Sequence, residues 1–410
     1  MRPTAFLAVA VCFLPGPVSA QAAPQPRARD LGVPFDGTPG PLNAITDVAG
    51  VTVGQVTIVS GKGPLVVGQG PVRTGVTAVL PRGATNGDPV MAGWFTLNGN
   101  GEMTGTTWLE ESGFLAGPVM ITNTHSVGVV RDAVIEWLVH KGFNFDWSLP
   151  VVAETWDGSL NDINGFHVSK QDAFRALDSA KSGPVAEGNV GGGTGMICHQ
   201  FKGGIGTASR RFAIEDKTYT LGVLVQCNYG VRRLLRIAGV PVGTEIPDLL
   251  PCLDTAEPRP NADERYPRCT AKVGARDPGP GGVGELGSII VVVATDVPLL
   301  PHQLQRVARH VSLGIGKMGG LGSNSSGDIY VAFSTANPGA ADPKGLHAAT
   351  FIPNEAITTV FEATVQATEE SITNALVAAA TMTGANDLRV SALPHDRLRA
   401  ALQKYGRLGK

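Results

Sequence analysis

Residues 287–296 read GSIIVVVATD, in which a serine follows a glycine and precedes a run of apolar residues. The run Ile289–Val293 consists entirely of β-branched residues, which is typical of a strand buried on both faces of a sheet. The preceding stretch, 241–287, is rich in proline and charge, lacks periodicity and ends in glycines, so it is predicted to be an exposed linker. An exposed linker therefore runs directly into a buried strand whose first residue is Ser288.

Short segments of strand and helix character surround this strand. Valine-rich runs bounded by glycine predict strands, and apolar residues spaced three or four apart predict helices. The predicted strands cover 51–59, 65–67, 74–80, 118–122, 151–154, a segment around 213, 220–226 and 329–334, and the predicted helices cover 125–140, 169–180, 302–311 and 354–381. Ser169 and Asn354 are the expected N-caps, Gly384 is the expected stop of the last helix, and the glycine-rich run 314–328 is expected to be a turn. Because the elements do not alternate at a steady βαβ spacing, the pattern favours an α+β sandwich of sheets covered by helices.

Composition and charge exclude several classes of protein. The 410 residues carry 33 lysines and arginines against 35 aspartates and glutamates, a net charge of −2. This balance, without a local basic run, excludes a nucleic-acid-binding protein that relies on positive charge. The 43% hydrophobic and 17% charged content indicates a well-buried core, and 53 glycines without a Gly-X-Y repeat indicate many tight turns and not collagen.

The first twenty residues, MRPTAFLAVAVCFLPGPVSA, have the features of a secretory signal peptide. Arg2 precedes an apolar stretch, 5–14, and the small residues at 18–20 suit a cleavage site. We therefore expect a secreted or periplasmic protein without a stable membrane anchor; a leader that stays attached as an anchor is the alternative.

Four cysteines follow the predicted signal peptide. Cys252 and Cys269 flank a polar, proline-rich stretch, and a disulfide between them is the favoured pairing in an oxidising compartment. Cys198 and Cys227 lie in apolar surroundings, where buried free thiols are expected.

Common cofactor and hydrolase motifs are missing from the sequence. The segment GIGKMG at 314–319 fits a dinucleotide-binding pattern, but it follows a predicted helix and precedes a predicted strand, which is the reverse of the required order. The sequence holds no GxxxxGK[ST], HExxH or GxSxG motif, so no metal or organic cofactor is expected.

Ser288 becomes chemically distinctive if the bond that joins it to Gly287 breaks. Its hydroxyl and a free α-amine then belong to one residue, and an α-amine with a pKa near 7.7–8.0 is partly neutral at pH 7–8. The amine can accept the proton of the hydroxyl, which is the arrangement of an N-terminal nucleophile. From this feature alone, a structural serine remains the commoner interpretation.

Long motifs link the chain to a known family. The segments GSIIVVVATDVPLLPHQLQRVARHVSLGIGK (287–317), SNSSGDIYVAFSTAN (323–337), LNAITDVAGVTVGQVT (42–57) and GNVGGGTGMICHQFKGGIGTASR (188–210) resemble the self-processing L-aminopeptidase/D-esterase family, which includes the β-aminopeptidases. The resemblance covers roughly residues 30–380. It implies a four-layer αββα sandwich of the N-terminal-nucleophile type, cleavage between Gly287 and Ser288, and tetramers of αβ pairs. The α chain would be 21–287 and the β chain 288–410, both within one domain.

The resemblance also implies roles for individual residues. Ser288 matches the nucleophile, Ser326 and Asp328 in SNSSGD match a second serine and its acidic partner, and Asn228 in VLVQCNYG matches the asparagine that stabilises the oxyanion. A hydroxyl and a carboxylate two residues apart on an extended segment can point to the same side. Without the resemblance, an ordinary polar turn explains SNSSGD and a turn at a strand end explains Asn228.

The resemblance places the substrate's amino group near Glu154. This residue, in VVAETWDG, matches an acidic residue that meets the ammonium group of the substrate. Trp156 stands beside it where better-studied relatives carry a tyrosine, so the expected pocket lacks that hydroxyl. Asn123 and the turn 191–195 are expected to shape the site, without an assigned role; plain backbone geometry is the alternative for both.

The sequence thus predicts an autoproteolytic serine aminopeptidase that acts on short peptides, amides and esters through an acyl-enzyme. Derivatives of α-, β- and D-amino acids all remain candidate substrates. A self-cleaving acyltransferase related to the amino-acid acetyltransferases and a self-cleaved exported binding protein are the alternatives. Ser288 and the signal peptide both oppose the acyltransferase, whose nucleophile is threonine and whose compartment is the cytoplasm.

Two fragments should separate when the purified protein is denatured. Sharing the mass of 42.5 kDa in proportion to length gives about 28 kDa for 21–287 and about 13 kDa for 288–410. Denaturing electrophoresis and N-terminal sequencing of the smaller fragment check this prediction. A single intact band from active protein would contradict processing.

Overall fold

The computed structural model describes residues 26–143, 145–257, 259, 266–270 and 287–408. The predicted signal peptide and much of the predicted linker lie outside the described residues. The linker does contain structure, since one short helix and one short strand lie between 242 and 253.

Fifteen strands and seven α-helices make up the regular structure of the described residues. The strands are β1 Thr52–Ser60, β2 Val72–Leu80, β3 Val90–Gly99, β4 Phe114–Leu115, β5 Val119–Asn123, β6 Val151–Thr155, β7 Ile197–Cys198, β8 Phe201–Lys202, β9 Gly204–Ile214, β10 Lys217–Asn228, β11 Cys252–Leu253, β12 Ser288–Thr295, β13 Gly327–Ser334, β14 Met382–Thr383 and β15 Leu388–Val390. The helices are α1 Thr106–Ser112, α2 Val127–His140, α3 Lys170–Asp178, α4 Val242–Glu245, α5 Pro301–Lys317, α6 Thr358–Ala378 and α7 His395–Lys404. In this part of the chain, no helix combines the length and apolar character needed to cross a bilayer.

Two sheets pack face to face between two layers of helices. One sheet has the order β1-β2-β5-β6, and the other has the order β4-β3-β13-β12-β10-β9. One apolar core lies between α2, α3 and the first sheet, a second lies between the sheets, and a third lies between the second sheet and α5 and α6. The four layers confirm the predicted αββα sandwich.

Strand β12 is buried on both faces, as its composition predicts. Ile290 and Val292 belong to the core between the sheets, whereas Ile289 and Val291 belong to the core under α5 and α6. The strand pairs antiparallel with β10 and parallel with β13. Helix α5 provides the crossover that a parallel pair requires.

The glycines after 311 do not end α5, contrary to the predicted turn at 314–328. The helix continues to Lys317, and Gly314 within it faces α6 at close range. A methyl group at Gly314 would lie 2.7 Å from the Cβ atom of Thr368. Glycine here permits close helix packing and does not act as a stop.

Other element boundaries also differ from the predictions. The expected strand at 65–67 is an isolated pairing of Val66 with Gly70. Helix α6 begins at Thr358 after a separate 3-10 turn that starts at Asn354, and it ends before the predicted stop at Gly384. The cap at Ser169 is confirmed, since its side chain accepts a hydrogen bond from the amide of Asp172.

Both pairs of cysteines form disulfides. The predicted pairing of Cys252 with Cys269 is confirmed. The expectation of free thiols at Cys198 and Cys227 was wrong, because β7 lies beside the end of β10 and brings the two Cα atoms to 5.6 Å.

A buried ion cluster fastens the N-terminal segment to α6. Glu370 on α6 is fully buried; it pairs with Arg29 at 2.7 Å and with Arg210 at 2.8 Å, and it accepts a hydrogen bond from Asn43 at 2.6 Å. Burial alone would raise the pKa of Glu370, but the hydrogen bond from Arg29 and the charge of Arg210 lower it below its ordinary value. The cluster therefore joins residues on either side of Gly287.

Replacing Glu370 with Gln should destabilise the fold because the guanidinium of Arg210 stays buried without its partner. We expect a loss of about 3–5 kcal/mol in the free energy of unfolding at pH 7. A carboxyl whose pKa is lowered by folding stabilises above its unfolded pKa, so the difference from wild type should shrink as the pH falls below 4.5. Chemical denaturation at matched protein concentrations measures it.

Glu362, an exposed glutamate on the same helix, provides the matched control. The substitution Glu362→Gln should change the free energy of unfolding by less than about 0.5 kcal/mol. Equal small changes for both variants would show that the cluster does not stabilise the fold.

Candidate active site

Ser288 is the first residue of β12, a central strand of the larger sheet that lies between β10 and β13. It is 5% exposed, and the strand register places it opposite Asn228 of β10 and beside Gly327 of β13. The carbonyl oxygen of Gly287 accepts a hydrogen bond from the amide of Gly327 at 3.2 Å. Side chains larger than hydrogen do not fit at 287, because a methyl group there would clash with the carbonyl oxygen of Asn228.

Ser326 and Asp328 flank the residue that pairs with Ser288. Both are fully buried, and the hydroxyl of Ser326 donates to Oδ1 of Asp328 at 2.6 Å. The structure thus brings this predicted pair together on the strand next to the nucleophile candidate.

Asn228 is the last residue of β10, and its side-chain amide is held from two directions. Its Oδ1 accepts from the amide of Ile197 at 2.7 Å, and its Nδ2 donates to the carbonyl oxygen of Trp156 at 2.9 Å. An amide nitrogen carries two hydrogens, so Nδ2 can donate a second bond while the first is kept.

Glu154 comes from β6 of the other sheet. Its carboxylate is 2% exposed and accepts hydrogen bonds from the hydroxyl of Thr124 and from the amide of Glu102 at 2.9 Å. Gly101 separates it from the larger sheet: a methyl group at Gly101 would lie 3.2 Å from both Oε1 of Glu154 and the Cα atom of Gly327. The carboxylate therefore faces the strand start where Ser288 lies.

Burial raises the pKa of Glu154 above its ordinary value, although the hydrogen bonds from Thr124 and Glu102 act in the opposite direction. Among the residues that the structure describes, no lysine or arginine forms an ion pair with this carboxylate. A buried carboxylate held by neutral donors gains from a cationic partner that brings its own hydrogen bonds.

Trp156 follows β6 and joins the two halves of the site. Its carbonyl oxygen holds Asn228, and its ring is 39% exposed. The next residue, Asp157, is buried and accepts from Asn161 at 3.0 Å, and burial raises its pKa to about 7. Asn123 donates to the hydroxyl of Thr74 at 2.8 Å beside this carboxyl.

The turn at 191–195 is a packing device. A methyl group at Gly192 would clash with Oε1 of Gln226, and one at Gly193 would lie 2.5 Å from the amide of Ile205. Because a methyl group at Gly192 would also lie 2.8 Å from the carbonyl oxygen of Ile121 on β5, glycine lets the turn lie close to both sheets.

Sequence reasoning missed Thr124, Asp157 and the amide of Gly327. The run of polar residues after an apolar strand in WDGSLND was the available signal for Asp157. No pattern marks Thr124, whose partner lies thirty residues away in sequence.

Comparisons with known proteins show similarity over nearly the whole chain. The model of peptidase family S58 matches residues 43–390. The beta-peptidyl aminopeptidase BapA of Sphingosinicella microcystinivorans is 56% identical over 401 residues, which are 98% of this chain and 97% of that protein.

Two solved structures are similar over nearly the whole chain. The L-aminopeptidase D-Ala-esterase/amidase of Ochrobactrum anthropi, described as a prototype for the serine aminopeptidases and a variant of the Ntn hydrolase fold, has a TM-score of 0.82 at 46% identity. The match covers 94% of this chain and 100% of that one. A Burkholderia beta-aminopeptidase has a TM-score of 0.78 at 45% identity, with coverage of 93% and 99%.

The sandwich with a serine at the start of a central strand is that of an N-terminal-nucleophile hydrolase. The chain belongs to peptidase family S58. It is therefore a hydrolase that acts as a peptidase, the resemblance seen in its motifs is confirmed, and the matches favour neither the acyltransferase nor the binding protein.

Proposed function

We propose that the chain cuts itself between Gly287 and Ser288 and that the freed Ser288 is the nucleophile of an aminopeptidase. The observation that carries the proposal is the register that sets Ser288 between Asn228 and Gly327 at the start of β12. This register places an attackable peptide bond, an amide donor and the Ser326–Asp328 pair at one strand end.

The cleavage starts with attack of the Ser288 hydroxyl on the carbonyl carbon of Gly287. The negative charge that develops on the Gly287 oxygen is stabilised by the amide of Gly327, which already donates to that oxygen. The C–N bond then breaks, the nitrogen takes the proton that the hydroxyl gave up, and an ester on Ser288 remains. Water hydrolyses the ester, leaving a carboxylate on Gly287 and a free α-amine on Ser288.

The same serine then acts on substrates. Its neutral α-amine takes the hydroxyl proton, the oxygen attacks the scissile carbonyl, and the proton passes to the leaving amine. Asn228 donates through Nδ2 to the oxyanion, and water later releases the acyl group from Ser288. The Ser326–Asp328 pair orients the α-amine.

Glu154 binds the ammonium group at the N-terminus of the substrate. The buried carboxylate faces Gly327 across Gly101, so the ammonium and the scissile carbonyl are held at a fixed separation. The names of the 56% identical relative and of the Burkholderia protein support substrates with an N-terminal β-amino acid. We propose short peptides, amides and esters of β-amino acids as the substrate class.

Export and assembly stay predictions. The signal-like segment 1–20 and the two disulfides support a secreted or periplasmic location, because disulfides persist in oxidising compartments. The homotetramer of αβ pairs is supported by the family resemblance.

A panel of β-alanyl, L-alanyl and D-alanyl p-nitroanilides tests the substrate class. We expect kcat/KM for the β-alanyl compound to exceed that for the other two at least about 10-fold, a difference of ~1.4 kcal/mol in transition-state binding. N-acetyl-β-alanyl p-nitroanilide, which lacks the ammonium group, is the matched control and should not be cleaved. Faster release from the L- or D-alanyl compound would contradict the proposed class.

The substitution Glu154→Gln should impair amine recognition and spare the chemistry. A hydrogen bond to a charged group contributes ~1.5–3 kcal/mol, so kcat/KM for β-alanyl p-nitroanilide should fall about 10- to 150-fold. Hydrolysis of p-nitrophenyl propionate, which has no amine, should change less than about 3-fold, and the two fragments should still form.

Glu111→Gln is the matched control, because Glu111 is an exposed glutamate on α1 that has no role in the proposed site. The kcat/KM of this control variant should stay close to that of wild type for both substrates. Equal losses on both substrates in the Glu154 variant would exclude ammonium binding by that residue.

A further inference from the structure

Lys202 on β8 is a fully buried lysine behind the candidate site. Its Nζ donates to the carbonyl oxygens of Met196 at 2.7 Å, Gly203 at 2.8 Å and Gly193 at 3.5 Å. Within the described residues, no carboxylate forms an ion pair with it, and burial lowers its pKa to about 7. A buried ammonium group without a counter-ion is costly, and this cost lowers the pKa; the three carbonyl oxygens favour the protonated form.

A single peptide group connects this ammonium to Asn228. The carbonyl of Met196 accepts from Lys202, and the N–H on the other side of the same peptide bond, that of Ile197, donates to Oδ1 of Asn228 at 2.7 Å. The amide of Gly203 also donates to the Met196 carbonyl, at 2.9 Å. The chain of bonds therefore runs from Lys202 through the peptide 196–197 to the side-chain amide of Asn228.

The surrounding covalent structure holds this chain in place. The disulfide joins Cys198, which follows Ile197, to Cys227, which precedes Asn228. The disulfide thereby limits how far the peptide 196–197 can move relative to Asn228.

Hydrogen bonds in such a chain polarise one another. An ammonium group that donates to a carbonyl oxygen makes the N–H of the same peptide a stronger donor. When that N–H donates to Oδ1 of a primary amide, the Nδ2 hydrogens of the amide become more positive. Nδ2 is the group that would meet the oxyanion. Such strengthening counts most in the transition state, where negative charge has developed.

We propose that Lys202 is a positioning residue that acts through the peptide 196–197 to hold and polarise the side-chain amide of Asn228 as the oxyanion donor. The proposal rests on the proposed function, in which Asn228 is that donor. Lys202 itself does not touch the substrate or Ser288 in this scheme.

The test is a double-mutant cycle of Lys202→Met and Asn228→Ala, with kcat expressed per molecule of fragment that begins at Ser288. Deleting a whole oxyanion donor costs about 10²- to 10³-fold, and we expect Lys202→Met, which weakens the donor, to lower kcat about 10-fold with KM unchanged. In the Asn228→Ala background the same substitution should lower kcat less than about 2-fold, because the group through which it acts is absent.

Arg232→Met is the matched control for a purely structural effect. Arg232 is also a buried cation that donates to backbone carbonyls, those of His199 and Gln200 among them, on the far side of the same β7–β8 hairpin. Its substitution should lower the midpoint of thermal unfolding but leave kcat per cut molecule unchanged, because none of these bonds leads to Asn228.

The possible outcomes separate the two proposals. The role of Lys202 would be overturned if Lys202→Met lowered kcat by the same factor in the wild-type and Asn228→Ala backgrounds. It would also be overturned if the substitution did not lower kcat in the wild-type background. No loss of kcat from Asn228→Ala alone would overturn the proposed function instead. If Lys202→Met does not yield cut protein, Lys202→Gln, which is neutral but can donate, takes its place, and Lys202→Arg, which keeps the charge, should recover more kcat than the neutral variant.

Discussion

The pairing of β12 with β10 on one side and β13 on the other is the constraint on which the site depends. It places Ser288 opposite Asn228 and next to Gly327, so residues far apart in sequence meet at one strand end. A shift of one residue in this pairing would send every side chain of β12 to the opposite face. Apolar cores on both faces hold the register, since Ile289 and Ile290 point into different cores and neither can exchange without repacking.

The smaller sheet supplies a carboxylate that the larger sheet lacks at this place. The larger sheet carries the proposed nucleophile, the proposed oxyanion donor and the serine–aspartate pair, whereas Glu154 comes from the smaller sheet and faces them across Gly101. The distance between the proposed ammonium site at Glu154 and the hydroxyl of Ser288 is then set by the packing of two sheets, which is rigid because the core between them is filled. Rigid spacing is the property that an enzyme needs to remove one residue from the N-terminus of a chain.

The sequence predicts the central strand and most of the site, but not the contacts that support it. The β-branched run after Ser288 is distinctive enough to identify a strand buried on both faces, and the motif resemblance predicts roles for Ser326, Asp328 and Asn228, which the structure places near Ser288. Lys202 cannot be identified from the sequence in this way, because its partners are backbone carbonyls, which every residue type carries. The disulfide of Cys198 and the extension of α5 past Gly314 depend on which elements become neighbours, and local composition does not contain that information.

The central claim is that the hydroxyl of Ser288 breaks the bond to Gly287 and so creates the amine that later serves as its base. The most direct test is to measure the intact mass of the purified Ser288→Ala and Ser288→Cys proteins. The cysteine variant keeps a nucleophilic group at the same side-chain position. The alanine variant should be one uncut chain without peptidase activity, and the cysteine variant should be two chains. An alanine variant that is cut at the same bond would contradict this claim.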